Sequence, residues 1–488
     1  MKVIIVGSGV AGMAASIRLA CQGHDVEVYE AAENPGGKLA EFRIDGFRFD
    51  AGPSLFTMPH YVDELFKLAK KDPTQFFSYK KLDTVCHYFW EDGMRFNAPA
   101  DPKDFAVKAA ETFQVEEKII SKYLSKSKDK YELTSPVFLE QSLHRLSNYW
   151  SGKVLKGLLN IPRLDIFQTL HTINRKQLKE EHLIQLFDRY ATYNGSDPYK
   201  TPGVMSSIPH LEYGIGAFFP KGGMYTITKS IYALAKDLGV IFHFNRKVDK
   251  IHTLQNRVTG IESQKETIGC DAVVSNMDVY YTYRHLLSHL PQPEQILKQE
   301  KSSSALIFYW GMKRAFPELD VHNILFTENY AEEFNCLSNT KELYHDPTVY
   351  INITSKQSPS DAPKNCENWF TMINVPHDTG QNWQAIETDA RQLIISKINR
   401  MLNTEIEPLI SCEKILDPLL IQQRTSSYLG ALYGTSSNSR YAAFLRHPNF
   451  SKRVKGLFFC GGSVHPGGGI PLCLLSAKIV ADEFQKSS

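Results

Sequence analysis

The chain has 488 residues, 42% of them hydrophobic and 22% charged, which is room for two or three domains around a substantial core. Its 55 Lys and Arg nearly balance 53 Asp and Glu, and the resulting net charge of +2 argues against nucleic acid as the main partner. The eight Cys form no C-x-x-C pair and no zinc spacing with His, so no metal site is expected and the thiols read as reduced cytosolic residues.

The first sixteen residues superficially resemble a signal peptide, with a Lys, an apolar run and small residues. The glycines argue otherwise. Val3 to Val6 is a β-branched run suited to a strand buried on both faces, and Ala11, Ala14, Ala15 and Leu19 then keep helical spacing up to Gly23. Val26 to Glu30 reads as a second strand ending on an acid, which completes a β-α-β unit. In that context Gly7 makes the tight turn, Gly9 lets backbone approach a pyrophosphate, and Gly12 lets helix and strand pack closely. The helix N-terminus offers N–H donors and a positive dipole to phosphates. Glu30 lies 18 residues beyond Gly12 (30 − 12), where a carboxylate accepts both hydroxyls of an adenosine ribose. Both NAD and FAD satisfy these residues.

The next stretch separates them. Residues 34–38, N-P-G-G-K, add Gly36, Gly37 and Lys38, and residues 46–56 bring Gly46, Gly52, Pro53, Ser54 and Leu55 around a short alternating strand. An NAD fold continues here into another β-α unit, whereas glycine loops with one cation suit a longer, bulkier dinucleotide. Arg48 and Asp50 are expected to hold one another across a turn. Residues 76–214 read as mostly helical. Within them, 149–177 mixes Val154, Leu155, Leu158, Leu159 and Ile161 with Lys153, Lys156, Arg163, Arg175 and Lys176. That pattern suits a helix pair lying on an anionic bilayer, and equally an amphipathic helix packed on its own core. No apolar run reaches the ~18 residues of a membrane span.

Residues 219–251 hold an amphipathic helix, with Met224, Ile227, Ile231, Leu234, Ala235 and Leu238 on one face and Gly239 as its cap, and then a strand over Val240 to Phe244. Residues 270–278, C-D-A-V-V-S-N-M-D, resemble the return strand of a known family, and 305–313 reads as a strand. Residues 349–376 resemble an extended hairpin of the same family. Residues 456–484 place a buried strand, Leu457 to Cys460, before the run S-V-H-P-G-G-G and a helix starting near Pro471. That helix end can face a group on which negative charge develops.

The succession G-x-G-x-x-G, E, G-G-K, then G-F-x-F-D-x-G-P-S and S-x-H-P-G-G-G resembles the FAD-dependent carotenoid desaturases of the bacterial phytoene desaturase type. These belong to the superfamily of amine oxidases and protoporphyrinogen oxidase. One departure is Gly461-Gly462, where amine oxidases carry Gly-Asp. Residues 50–59 are more similar to the hydroxycarotenoid 3,4-desaturase branch.

The resemblance implies an α/β fold: a Rossmann-like FAD-binding domain from 1–75, 215–290 and 426–488, a helical membrane-associating region 76–214, and a mixed-sheet substrate domain 291–425. It puts FAD on Gly7, Gly9, Val10, Ala11, Gly12, Glu30, Gly37, Lys38, Gly52, Pro53, Ser54, Leu55, Val248, Gly462, Gly469, Ile470 and Pro471, with Val248 offering backbone bonds to the adenine. The implied reaction introduces C=C bonds into an acyclic carotenoid by hydride transfer to flavin N5 and loss of a proton. No Ser/His/Asp arrangement or activated Cys is needed, and His465 is the single candidate proton acceptor, with a structural role in the glycine loop as its alternative. Oxygen or a membrane quinone would reoxidise the flavin, which suits a cytoplasmic protein attached peripherally to the inner face of the membrane. Phytoene desaturase, carotenoid isomerase, and a flavin-free prenyl carrier of the Rab escort type are the alternatives on this scaffold. If the hydroxycarotenoid branch holds, a polar group at the end of the substrate tunnel reads the terminal hydroxyl.

Overall fold

The computed structural model describes residues 1–145, 164–439 and 445–487. One layer is a five-stranded parallel sheet in the order Leu457–Phe459, Ala272–Ser275, Lys2–Val6, Asp25–Tyr29, Ile241–His243. The apolar run in its central strand is explained by cover on both faces. Val3 and Ile5 pack under the helices Val10–Cys21, Tyr225–Asp237 and Ile470–Ser487, while Ile4 and Val6 face Val248, Ile251, Val258 and Ile261 of a three-stranded antiparallel sheet. The register Val3↔Ala272 and Val273↔Leu457 places the last strand two positions from the first, so both ends of the chain meet in one sheet.

The second layer is a seven-stranded mixed sheet: Ile410–Leu416, Ser304–Met312, Glu367–Val375, Val349–Ile353, His322–Leu325, Thr84–Phe89, Arg95–Pro99. The helix Trp383–Leu402 covers one face through Ile394 and Ile398, against Trp310, Ile351 and Trp369. The expected hairpin over 349–376 is present, with Tyr350 opposite Met372. Residues 76–214 differ from their mostly helical reading, because they open with three strands before turning helical. Tyr79–Lys81 pairs with Phe218–Pro220, and Thr84–Phe89 and Arg95–Pro99 extend the large sheet. Val85, Cys86, Tyr88 and Phe89 are buried there, and the turn around Asp92-Gly93 closes with Gly93 N–H donating to Trp90 O at 3.2 Å. The expected helices follow at Pro102–Phe113, Glu117–Thr134, Leu170–Leu178 and Glu181–Asp188.

Most of the apolar and basic stretch 149–177 lies outside the described residues. Its described part contains the helix Leu170–Leu178, with Leu170 and Ile173 buried. Among the described residues no helix is long and apolar enough to cross a membrane. All eight cysteines are free thiols, three buried and five half-buried.

Candidate active site

The parallel sheet ends in loops that converge on one place. Gly7, at φ +96°, turns the chain out of the first strand, and its N–H donates to Tyr29 O at 2.8 Å. A Cβ on Gly12 would stand 2.2 Å from Gly7 O, so only glycine lets the helix start this close to the strand. The second glycine loop lies on the first: Gly36 N–H donates to Ser8 O at 3.0 Å, and a Cβ on Gly37 would meet Gly9 Cα at 3.5 Å. Asn276, just past the strand Ala272–Ser275, joins these loops to the C-terminal block. Its Oδ1 accepts from Gly12 N–H at 3.0 Å and its Nδ2 donates to Cys460 O at 3.2 Å. The helices beginning at Val10 and Ile470 lie side by side over the same sheet.

Glu30 marks one end of these loops. Its Oε2 accepts from Ser8 N–H (2.7 Å) and from the Ser8 hydroxyl (2.8 Å), and its Oε1 accepts from Ala32 N–H (2.8 Å). Glu30 O accepts from Arg246 N–H at 2.8 Å, which brings Val248, the buried first residue of its strand, to the same end. Gly7, Gly9, Val10, Ala11, Gly12 and Gly37 occupy the middle.

Lys38 lies at the other end, half-buried. Its Nζ donates to Leu432 O at 2.7 Å and Ala431 O at 3.4 Å, and it forms no ion pair among the described residues. Burial lowers its pKa, against the opposing field of Asp278. Gly52 packs on it so closely that a Cβ would stand 1.8 Å from Lys38 O, and Pro53, Ser54 and Leu55 continue along the wall. Gly462 lies against Gly468, where a Cβ would meet Cα at 3.2 Å. Gly469 O accepts the first helical bond, from Cys473 N–H at 2.9 Å, beside Ile470 and Pro471. These expected residues lie on loops that gather at one end of the parallel sheet.

Sequence reasoning missed two groups here. Asn276 is one, although an Asn just past the return strand is a readable signal. Arg446 is the other. It is buried, donates to Tyr433 O at 2.9 Å and Ser437 Oγ at 3.4 Å, and has no carboxylate partner among the described residues. Burial alone pulls its pKa down to about 10.

A carboxylate at one end, glycine backbone that a Cβ would foul in the middle, and two cations without ion pairs at the other suit a molecule with ribose hydroxyls, a pyrophosphate and a ring that gains negative charge on reduction. These residues fit FAD.

His465 is buried and its Nε2–H donates to Gln141 O at 2.9 Å, its backbone N–H donates to His447 O at 2.9 Å, and its carbonyl accepts from Asn449 Nδ2 at 2.8 Å. Burial lowers its pKa to about 4, so the ring is neutral near pH 7. These bonds tie the glycine loop to two neighbouring segments. Arg48 and Asp50 do hold one another, as neighbours on one face of the strand Phe47–Asp50, with Nη2 to Oδ1 at 2.6 Å. Arg48 also binds Glu41 at 2.6 Å and Asp361 at 3.2 Å. Asp50 in turn accepts from the N–H groups of Met224 and Tyr225 at the start of the helix Tyr225–Asp237. The strand read as alternating is therefore buried throughout: Phe47 and Phe49 enter an apolar cluster, and the polar face is closed by ion pairs.

Residues 10–484 match the family described as flavin containing amine oxidoreductase. The chain is 57% identical over 481 residues to a 1-hydroxycarotenoid 3,4-desaturase of Flavobacterium sp. (strain P99-3), covering 99% of this chain and 98% of that protein. It is 30% identical over 488 residues to a 4,4'-diaponeurosporene oxygenase of Staphylococcus aureus (strain MSSA476), covering 99% and 97%. Among solved structures, an oxidoreductase from Methanosarcina mazei superposes with a TM-score of 0.63 at 15% identity over all of both chains. Putrescine oxidase bound to putrescine superposes with 0.64 at 14% identity over 100% and 99%. At these identities the two structures speak for the fold alone.

Proposed function

The chain belongs to the flavin-containing amine oxidoreductase family, and within it we propose a FAD-dependent carotenoid desaturase whose reaction is the 3,4-desaturation of an acyclic 1-hydroxycarotenoid. The observation that carries this reading is the full-length 57% identity to a protein of that name. The cradle of Gly12, Glu30, Lys38 and the glycine loop at 461–469 supports it, because each part has the chemistry that FAD needs.

Bound FAD supplies the acceptor for the hydride that leaves one carbon. The chain's own residues do the rest by position and field. Lys38, Arg446 and the first turn of the helix Ile470–Ser487 hold positive charge where electron density would build. Leu55, Leu432, Tyr433 and Leu472 offer mostly apolar surface on the half-buried wall, which keeps water from a reactive polyene. The second hydrogen leaves the adjacent carbon as a proton. Removing the hydride leaves a cation in conjugation with the polyene, so a neutral hydroxyl or water is base enough, and no strongly basic side chain is required.

A substrate insoluble in water is best met at a bilayer. The reading therefore includes peripheral attachment to the cytoplasmic face of the membrane, supported by the basic and apolar residues of 149–177, with oxygen or a membrane quinone as final electron acceptor. Holoprotein that stays in solution with anionic vesicles at low salt would refute the attachment.

The test of the reaction is incubation of the yellow holoprotein with a hydroxylated acyclic carotenoid in vesicles. Each new conjugated bond shifts the absorption band to the red. An unchanged number of double bonds in the product would point to an isomerase instead.

A further inference from the structure

In a 1-hydroxycarotenoid, two single bonds separate the carbon bearing the hydroxyl from the first carbon of the 3,4 bond. That places the two carbons about 2.5 Å apart. Whatever reads the hydroxyl therefore lies beside the reacting carbons, against the wall that carries Lys38 and the 52–55 loop, and not at a remote tunnel end.

One polar chain is built at that wall. Ala51 to Leu55 are half-buried between the buried residues Asp50 and Phe56, so the loop keeps part of its surface open. From it the Ser54 hydroxyl reaches across to the substrate sheet and meets Tyr350 OH at 2.8 Å. Tyr350 OH meets His322 Nδ1 at 2.7 Å. Asn352 Nδ2 donates to Val321 O at 2.9 Å and lies 3.3 Å from His322 Nδ1. Burial, with the Arg189 charge adding to it, lowers the His322 pKa to about 3 and keeps the ring neutral.

The tautomer with a bare Nδ1 gives the chain one direction. Tyr350 donates to His322 Nδ1, Ser54 donates to Tyr350, and the free lone pairs of Ser54 Oγ accept. In this direction Ser54 Oγ is an acceptor, complementary to an O–H and indifferent to a methyl or an ether oxygen.

We propose that Ser54, held by Tyr350 and His322, accepts the hydrogen bond of the substrate's terminal hydroxyl and so selects hydroxylated acyclic carotenoids over their unhydroxylated counterparts. The proposal rests on the desaturase reading above. Ser54 is the residue that touches substrate; Tyr350 and His322 position it. A site built around a hydroxyl discriminates strongly, because the analogue without it leaves a buried polar group unpaired.

The experiment compares kcat/KM for a hydroxylated and an unhydroxylated acyclic carotenoid in wild type, Ser54→Ala, Ser54→Thr and Tyr350→Phe, with flavin content read from the visible spectrum. The preference for the hydroxylated substrate should fall by about 10-fold or more in Ser54→Ala and in Tyr350→Phe, and Ser54→Thr should retain it. Should Ser54→Ala lose FAD, Tyr350→Phe decides, since it removes one hydroxyl and keeps the ring. A wild type with the preference and a Tyr350→Phe that keeps it would overturn the relay alone. A wild type that converts both substrates equally well would overturn the substrate reading together with the relay.

Discussion

Asn276 caps the helix that begins at Val10 by accepting from Gly12 N–H at 3.0 Å, and the same amide donates to Cys460 O at 3.2 Å. One side chain thus joins segments more than 180 residues apart on either side of it. Asn276→Ala removes both bonds and leaves a helix N–H and the Cys460 carbonyl, just past the last strand, without them. We expect a loss of about 1–3 kcal/mol in apoprotein stability by urea titration. FAD should also leave the variant faster on dilution. Unchanged stability and flavin retention would show that the two loops do not depend on this link.

Gly12→Ala tests the cradle itself. Its methyl would lie 2.2 Å from Gly7 O and 2.8 Å from Asn276 Oδ1, so the helix start has to retreat from the strand. The expected product is a folded but colourless protein that takes up no FAD on reconstitution. Gly269→Ala is the control, because there a Cβ meets only Thr259 O at 3.8 Å. It should bind FAD as wild type does.

Arg48 neutralises Asp50, Asp361 and Glu41 where two of those three carboxylates are buried. Arg48→Met keeps the volume and removes the charge, leaving Asp50 and Asp361 buried without a cation. Breaking a buried pair in this way costs about 3–5 kcal/mol. Because Asp50 also accepts from Met224 and Tyr225, the helix Tyr225–Asp237 should show the largest rise in hydrogen exchange. Loss of stability without that local rise would contradict the role given to Asp50.

The nucleotide half of the site was legible because its logic is local. Gly7, Gly9, Gly12 and Glu30 lie within one β-α-β unit, and each spacing has a single steric or hydrogen-bonding reason. The strands Thr84–Phe89 and Arg95–Pro99 carried their own signal, an Asp-Gly turn between apolar runs, which the helical pattern of the residues after them obscured. Ser54, Tyr350 and His322 offered no such signal. The Ser54–Tyr350 contact spans 296 residues, and nothing in a Tyr on a sheet strand announces which hydroxyl it will meet. Arg446 was equally silent, since a cation is recognised as unpaired only when its surroundings are known. His465 allowed a chemical and a structural reading in sequence; its ring donates to Gln141 O and its carbonyl accepts from Asn449 Nδ2, bonds that hold the loop.

Glu333 gives the fold a pH dependence that can be separated from catalysis. It is buried, and both carboxylate oxygens accept from Thr348, from its N–H at 2.8 Å and its hydroxyl at 2.7 Å. Burial raises its pKa from 4.5 to about 7, outweighing those two bonds and the field of Lys397. The folded chain therefore holds this proton more tightly than the unfolded chain does. The stabilisation is complete below pH 4.5 and is lost as pH rises through about 7. The difference, (7 − 4.5) pKa units at ~1.4 kcal/mol each, is about 3 kcal/mol. Glu333→Gln is uncharged at every pH, and the Thr348 hydroxyl can rotate to accept from the new amide. Between pH 5 and pH 8 the wild type should lose stability relative to Glu333→Gln, as read from urea midpoints in matched buffers. Parallel curves for the two proteins would mean that the carboxyl is ionised in the fold throughout that range.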